Sequence, residues 1–273
     1  MNQEDKLEIY GVSDVGRKRS HNEDSIGSDL ELGIAVLADG MGGYKAGEVA
    51  SAIAVNQILE ELRTTLKDLD SGEVDAESGY SRESLQVKLA VEKANQIIYQ
   101  TAQSQPQCHG MGTTLVTAAF YEDRVTIAHI GDSRLYRLRG DDFQQVTSDH
   151  SLLQELVDKG FYTPEEAKKS QNKNLVTRAM GIELNVSPDV QEELVIPGDI
   201  YLMCSDGLSD LVDDAEIHST LNNYGDNLET AAKYLVQLAN DNGGKDNISV
   251  ILARSNAPFT TNRSWYTKVF DWF

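Results

Sequence analysis

Four aspartates occupy the same kind of position in this chain, where a short apolar run meets a loop that contains glycine. Three of them follow the apolar run and one directly precedes it: Asp39, Asp132, Asp206 and Asp246. An aspartate beside a glycine also makes an ordinary turn, which is enough to explain any one site alone. As a set, however, carboxylates at the ends of central strands would converge at one edge of a sheet, and this limits the folds open to the chain.

Converging carboxylates repel one another and raise one another's pKa unless a cation offsets their charge. The candidate ligand atoms are all oxygen, because no His or Cys lies at a useful spacing. Hard oxygen ligands suit Mg²⁺ or Mn²⁺ better than Zn²⁺ or Cu²⁺. Two such ions held a few ångströms apart can activate a hydroxide for attack on phosphorus.

The hydrophobic period changes several times along the chain. Helical spacing predicts long helices over 46–69 and 84–101, short helical material within 149–170, and two helices near 215–222 and 228–240. Short apolar runs predict strands in between, and we expect 113–121, 124–130 and 134–138 to form a β-meander. Strict strand–helix alternation is missing. We therefore predict an α+β fold with helices covering stacked antiparallel sheets, rather than a doubly wound parallel sheet.

Charge and composition exclude several classes of function. The formal net charge is −20 at pH 7, which argues against nucleic acid as a partner, because that binding depends on Lys and Arg neutralising phosphates. No run approaches the ~20 apolar residues of a membrane span, and the acidic start predicts no secretory leader. Two cysteines are too few for a disulfide framework, so we expect a cytoplasmic protein with reduced thiols.

A small basic island interrupts the acidic chain. Arg17-Lys18-Arg19 stands just before Asn22-Glu23-Asp24. An arginine beside a carboxylate metal site can place its guanidinium fork on phosphate oxygens. The alternative is a solvated charge pair on a loop, and the adjoining acidic residues favour the phosphate clamp.

Six motifs together make the chain recognisable. In order they are Arg19–Asp24, Ala38–Gly43, Gly110–Thr114, Ile130–Arg134, Cys204–Leu208 and Lys245–Asn247. With these motifs the chain resembles the metal-dependent Ser/Thr protein phosphatases of the type-2C-like (PPM) family, in their compact bacterial form. The resemblance covers about residues 7–253. It implies a four-layer α-β-β-α sandwich of two antiparallel sheets with helices on both outer faces, built as one catalytic domain over 1–254. Residues 148–181 match the variable flap beside the family's active site, which is associated with substrate choice.

The resemblance also assigns roles to the acidic residues. Asp39 would bridge two Mg²⁺ or Mn²⁺ ions, the Gly40 carbonyl would bind one of them, and Asp206 and Asp246 would complete the first site. Glu23 and Asp24 would hold metal-bound waters or contact the second ion. Asp132 matches the residue that supports a third, weaker ion in bacterial relatives.

The family's reaction follows from these roles. A metal-bridging hydroxide would attack the phosphorus of phosphoserine or phosphothreonine in a phosphorylated protein, and Arg19 and the metals would offset charge on the phosphate oxygens. The cysteines would take no part, with Cys204 buried on a strand and Cys108 a loop thiol. We expect such an enzyme to oppose a cognate bacterial-type Ser/Thr kinase.

Protonation of the leaving alkoxide has no assigned residue. Larger family members carry a His as proposed general acid where this chain has Met41, and bacterial members often carry a later His where this chain has Tyr44. A metal-bound water is the first candidate and Tyr44 the second. His21 lies near the first motif and is read mainly as a surface residue.

The C-terminal segment 255–273 carries aromatic and apolar residues at helical spacing. It would either pack back on the domain or dock a partner protein or membrane surface. Two alternative functions remain open at this stage. One is a catalytically inactive regulator that binds phosphoproteins, and the other is a hydrolase of the same fold that acts on small phosphoesters.

Overall fold

Two antiparallel sheets form the centre of the computed structural model, which describes residues 6–42, 46–67, 69, 73–163, 166 and 175–257. The strands of the first sheet are, in spatial order, Leu7–Asp14 (β1), Ile248–Ser255 (β11), Ile200–Cys204 (β10), Arg134–Arg139 (β7) and Asp142–Gln145 (β8). Those of the second are Asp24–Asp29 (β2), Ile34–Met41 (β3), Leu115–Tyr121 (β5), Arg124–Ile130 (β6) and Asp189–Leu194 (β9), with Gly112–Thr113 (β4) paired to β3.

Helices cover the outer face of each sheet. Ala46–Thr65 (α1) and Arg82–Ser104 (α2) pack on the second sheet. On the first sheet lie Asp214–Tyr224 (α5) and Leu228–Asp241 (α6), while Leu152–Asp158 (α3) and Asp206–Ser209 (α4) are short. The predicted four-layer α-β-β-α architecture is therefore confirmed.

Strand β3 shows how the sequence builds these layers. Its residues are buried on both faces, so the run reads as continuously apolar. Ile34 and Val36 face the helices α1 and α2, whereas Ala35 and Leu37 face the other sheet. The period of two in a strand thus lets one segment contribute to two of the three core layers.

The predicted β-meander is wrong. β5 and β6 do form a hairpin, but β7 belongs to the other sheet, where it pairs with β10 and β8. The physical reason is that β6 has no free edge, because β5 and β9 already pair with its two sides. The chain leaves β6 at Gly131, whose φ of +102° favours glycine, and crosses between the sheets.

Other local differences have simple causes. The strands β2 and β8 were not predicted, because their sequences DSIGSD and DFQQ are mostly polar and lack an apolar run. Both strands lie at the edges of their sheets. Helix α1 ends at Thr65 rather than 69, and helical structure within 149–170 is described for Leu152–Asp158. Cys108 is not a loop thiol, since it is buried in the 3₁₀ turn Pro106–Cys108.

Some predictions fall outside these observations. Residues 258–273, which include all the aromatic residues of the C-terminal segment, and Tyr44 lie outside the described residues. The boundaries 1–254 and 148–181 remain predictions. In the described part of the chain, no helix combines the length and the apolar character that crossing a membrane requires.

Candidate active site

The acidic residues meet at one end of the two sheets. Asp24 and Asp39 face each other in register across β2 and β3. Asp206 starts α4 directly after β10, and Asp246 stands two residues before β11. Because β10 and β11 are antiparallel neighbours, the end of one lies beside the start of the other. Asp132 completes the set from the crossing between β6 and β7.

The described residues balance the charges of this cluster only in part, through the ion pair of Arg19 with Asp246. Burial raises the pKa of Asp39 well above its usual value, and the carboxylates of Asp24, Asp206, Asp132 and Asp246 raise it further. Burial also raises the pKa of Asp206 to about 8, with added repulsion from Asp132 and Asp246. These shifts are what converging carboxylates produce when no cation lies among them.

Asp24 is held by two hydroxyl groups. Ser205 Oγ donates to Asp24 Oδ2 at 2.9 Å and Ser249 Oγ donates to the same atom at 2.6 Å. Burial raises the pKa of Asp24 to about 6 although both hydroxyls act to lower it. Its Oδ1 atom is buried and has no hydrogen-bond partner among the described residues, so a polar or cationic ligand would satisfy it.

Asp132 lies on a solvent-filled cleft. Burial, followed by repulsion from Asp149, raises the pKa of Asp132 to about 6. The cleft has a volume of about 490 Å³ and is also lined by Asp206, by the side of α3 at Leu153 and by Asp210. A substrate therefore has access to this edge of the acidic cluster.

The donor set fits hard divalent cations. All the predicted ligand atoms are oxygens, one of them is a buried oxygen without a donor, and the carboxylates repel one another. Among the described residues, no three of these carboxylates bring one oxygen each within 4.8 Å of one another. The carboxylates are thus spread more widely than the ligands of a compact single-ion site.

Two threonines, Thr113 at the end of β4 and Thr114 directly after it, hold the backbone at Asp39. Thr114 N–H donates to Asp39 O at 2.9 Å, and Thr113 Oγ1 donates to the same carbonyl at 2.8 Å. At Gly40 a Cβ atom would run into the carbonyl oxygens of Gly47 and Glu23, so no other residue fits without moving the backbone. The motif Gly110–Thr114 therefore supports Asp39 rather than supplying ligands.

Arg19 stands at the rim of the cluster. Its Nη2 lies 2.6 Å from Asp246 Oδ2, and its side chain is 52% exposed. The hydrogen bond to Asp246 raises the pKa of Arg19, as do the charges of Glu23 and Asp206. This geometry agrees with both interpretations of Arg19, the solvated charge pair and the phosphate clamp. In either case an exposed guanidinium contacts the acidic cluster.

Asn247 is a functional candidate that the motif Lys245–Asn247 contained but to which no role was given. Its Oδ1 accepts from Glu23 N–H at 2.8 Å, and its Nδ2 donates to the carbonyls of Val15 and His21, each at 3.0 Å. One buried side chain therefore fixes the loop that carries Arg19 and Glu23 against the start of β11. Ser205, which lies in the motif Cys204–Leu208, was also given no role, and Ser249 lies outside the six motifs.

Among the described residues considered for protonation of the leaving alkoxide, none is shown to contact the acidic cluster. Met41 ends β3, and His21 is exposed with its Nδ1 2.8 Å from Ser20 Oγ. This contact does not link the His21 ring to the acidic cluster. Cys204 is buried and burial raises its thiol pKa to about 12, so it stays protonated and is not a nucleophile.

Comparisons with known proteins agree with this geometry. The family model described as protein phosphatase 2C matches residues 16–241. Protein phosphatase PhpP of Streptococcus pneumoniae is 36% identical over 256 residues, which are 92% of this chain and 98% of PhpP.

Solved structures extend the likeness to the fold. The serine/threonine phosphatase PstP/Ppp of Mycobacterium tuberculosis has a TM-score of 0.82 at 36% identity, covering 92% of this chain and 100% of that one. A catalytic domain of PstP in complex with two manganese ions has a TM-score of 0.78 at 36% identity, covering 92% and 99%.

Proposed function

Because the chain belongs to the protein phosphatase 2C family, we propose that it is a metal-dependent phosphatase that hydrolyses phosphoserine and phosphothreonine in proteins. The observation that carries this proposal is the cluster of mutually repelling carboxylates beside an exposed arginine. The relatives named above are themselves called protein or serine/threonine phosphatases.

The same cluster supports a cofactor of two Mn²⁺ or Mg²⁺ ions, with a third as a weaker addition. Asp39 would be a ligand of both ions and the Gly40 carbonyl a ligand of one of them. Asp206 and Asp246 would complete the first site, and Glu23 and Asp24 would hold waters or the second ion. Asp132 would hold the third. When bound, the ions supply an activated water and offset negative charge on the phosphate. The similar PstP catalytic domain, in complex with two manganese ions, supports this number.

Arg19 would bind the phosphate. Its present partner is Asp246, which is 33% exposed and is itself a proposed ligand. A cation on Asp246 would compensate that carboxylate, so the guanidinium would be released to fork onto two phosphate oxygens. The exposure of Arg19 leaves it free to make this change without unpacking the core.

The wider role follows as a proposal from the same assignment. Phosphorylated proteins would be the partners, a Ser/Thr kinase would supply the substrate, and the cytoplasm would be the compartment. The inactive-regulator alternative predicts a missing acidic ligand, yet Asp39, Asp206 and Asp246 are all present and lie together.

The test is phosphate release from a phosphothreonine peptide. We expect release with Mn²⁺, none with EDTA, and none from the Asp206→Asn variant. Asp210→Asn is the matched control, because Asp210 is exposed on the same cleft and is not a proposed ligand. Failure of the folded, Mn²⁺-loaded protein on the peptide together with turnover of p-nitrophenyl phosphate would replace the proposal with the small-phosphoester alternative.

A further inference from the structure

One residue holds both sides of the peptide that precedes Asp132. Gly131 N–H donates to His150 Nδ1 at 3.1 Å, and His150 N–H donates to Gly131 O at 2.9 Å. Gly131 has a φ of +102°, and a Cβ there would press on Thr114, so this turn has few other conformations available. The Asp132 carboxylate is thus attached to a turn that His150 clamps.

The surroundings of the second ring nitrogen of His150, Nε2, determine which tautomer the ring adopts. Because Nδ1 accepts a hydrogen bond, the neutral ring carries its proton on Nε2. Nε2 lies 3.2 Å from Asp189 Oδ2, and Arg178 holds the other oxygen of Asp189 at 2.7 Å. A carboxylate facing Nε2 favours the tautomer that leaves Nδ1 free for Gly131.

The ring is also fixed in orientation. His129 stacks on His150 with 4.6 Å between ring centroids and 27° between planes. His129 Nε2 is 2.8 Å from Ser148 O, so its proton is on that atom. Both imidazoles are buried, and burial lowers the pKa of each, which keeps the acceptor nitrogen unprotonated at neutral pH.

A metal ion is an alternative occupant of this cluster. One ligand atom each from His129, His150 and Asp189 lie within 4.8 Å of one another. However, His150 would have to give up the Nε2 proton or its bond from Gly131, and Asp189 would have to leave Arg178. His129 Nδ1 and His150 Nε2 make no hydrogen bond among the described residues. The bond from Gly131 N–H to His150 Nδ1 and the pairing of Asp189 with Arg178 nevertheless favour the clamp over a metal site.

We propose that His150 is a positioning residue that fixes the Gly131–Asp132 turn and thereby the affinity of the Asp132 carboxylate for its metal ion. This inference rests on the proposed function, since it needs Asp132 to be a ligand. His150 touches neither the ion nor the substrate in this role. It acts through one backbone N–H and one backbone carbonyl.

Two substitutions at His150 separate positioning from simple packing. In His150→Asn the side-chain oxygen can take the place of Nδ1 and accept from Gly131, whereas in His150→Gln the amide lies nearer the place of Nε2. We expect His150→Gln to weaken binding of the weakest Mn²⁺ ion by about 10-fold or more, as loss of a ligand's supporting residue does in other metal sites. His150→Asn should bind within about threefold of wild type, given that one hydrogen bond is kept.

Calorimetric titration of Mn²⁺ into the full chain measures this directly, with phosphate release recorded separately. Asp132→Asn sets the largest effect, and the double variant Asp132→Asn/His150→Gln should bind Mn²⁺ no more weakly than Asp132→Asn alone. Equal losses in the Asn and Gln variants, or losses that multiply in the double variant, would overturn the proposal. So would a stoichiometric Zn²⁺ site that His129→Asn removes. If the wild type binds Mn²⁺ but releases no phosphate, only the proposed function fails.

Discussion

The acidic cluster has two sides that are built differently. Its strand side consists of Asp24 and Asp39, which lie on paired strands and face each other in register. Its turn side consists of Asp132, Asp206 and Asp246, which lie between strands. On the strand side the backbone ladder sets the position of each carboxylate. On the turn side this task falls to side chains: His150 holds the turn before Asp132, and Asn247, next to Asp246, ties the start of β11 to the loop that carries Glu23.

The difference teaches where the site is sensitive. A sheet ladder survives the loss of one side chain, because many backbone hydrogen bonds share the work. A turn that depends on one buried side chain does not have this reserve, and it leaves backbone groups unpaired when that side chain is removed. We therefore expect the supporting residues of the turn side to be more sensitive to substitution than those of the strand side.

The largest effect is expected at the centre of the strand side, where the carboxylate itself is removed. Asp39→Asn should lower phosphate release by at least ~1,000-fold, because the proposed ligand shared by two ions is lost. In EDTA the variant should be at least as stable to heat as wild type, since burial and four neighbouring carboxylates raise the pKa of Asp39 and oppose its charge.

Asp29→Asn is the matched control, because Asp29 lies at the other end of β2 and pairs with Arg63. It should keep its activity. A clear loss of heat stability in metal-free Asp39→Asn would show that the Asp39 carboxylate stabilises the fold, against the repulsion argued here.

Two sequence signals predicted most of the fold, the helical periodicity and the short apolar runs. Helical periodicity identified the two long helices, and buried apolar runs identified β3, β5, β6 and β10. Neither signal says which sheet a strand joins, so the meander was wrong at β7. Polar edge strands such as β2 carry almost no apolar signal, so β2 was not predicted, although the motif Arg19–Asp24 identified its first residue.

The site divides in the same manner. The acidic residues could be predicted because their motifs are compact in sequence. Asn247 could not be assigned a role, because its partners Val15 and His21 are more than 220 residues away along the chain. His150 is equally hidden, since its contact with Gly131 exists only after β6 and β7 have separated into different sheets.

The next largest effect is expected at Asn247, on the turn side. Asn247→Ala removes three hydrogen bonds and leaves the partly buried N–H of Glu23 without its acceptor. We expect a loss of about 2–3 kcal/mol in the free energy of unfolding. Activity should fall by about 10–100-fold, because Arg19 and Glu23 lose their fixed position.

Urea unfolding and peptide kinetics check both numbers. Asn242→Ala is the control, since Asn242 is exposed and makes one side-chain bond, to Leu211 O. If the two alanine variants behave alike, the turn side does not depend on its supporting side chains in the way we describe.

A pH titration separates the cluster from the rest of the protein. Burial raises the pKa of Asp206 to about 8, so in metal-free protein the native state binds a proton that the unfolded state releases near pH 4. Stability must then fall as pH rises towards the folded pKa. Between pH 7 and 8 we expect the midpoint of heat unfolding in EDTA to drop by on the order of 2–4 °C.

Above pH 7 the unfolded-state histidines are already neutral, so they add little in this window. The drop should be smaller in Asp206→Asn and should disappear with saturating Mn²⁺. A midpoint that rises from pH 7 to pH 8 in EDTA would contradict the raised pKa.

The smallest effect is expected from a supporting residue of the strand side. Ser249→Ala removes one of the two hydroxyls that donate to Asp24 Oδ2, while Ser205 keeps its bond and the β2–β3 pairing is untouched. Ser249 Oγ also lies 2.7 Å from Ser13 Oγ, so two hydrogen bonds are lost and the free energy of unfolding should fall by about 1–2 kcal/mol. Activity should fall by less than about fivefold, well below the loss at Asn247. Ser219→Ala, on the exposed surface of α5, serves as the control. A small loss of activity would show that the β2–β3 hydrogen bonds, rather than the serine hydroxyls, hold Asp24 in place. A loss of activity as large as that of Asn247→Ala would show the reverse.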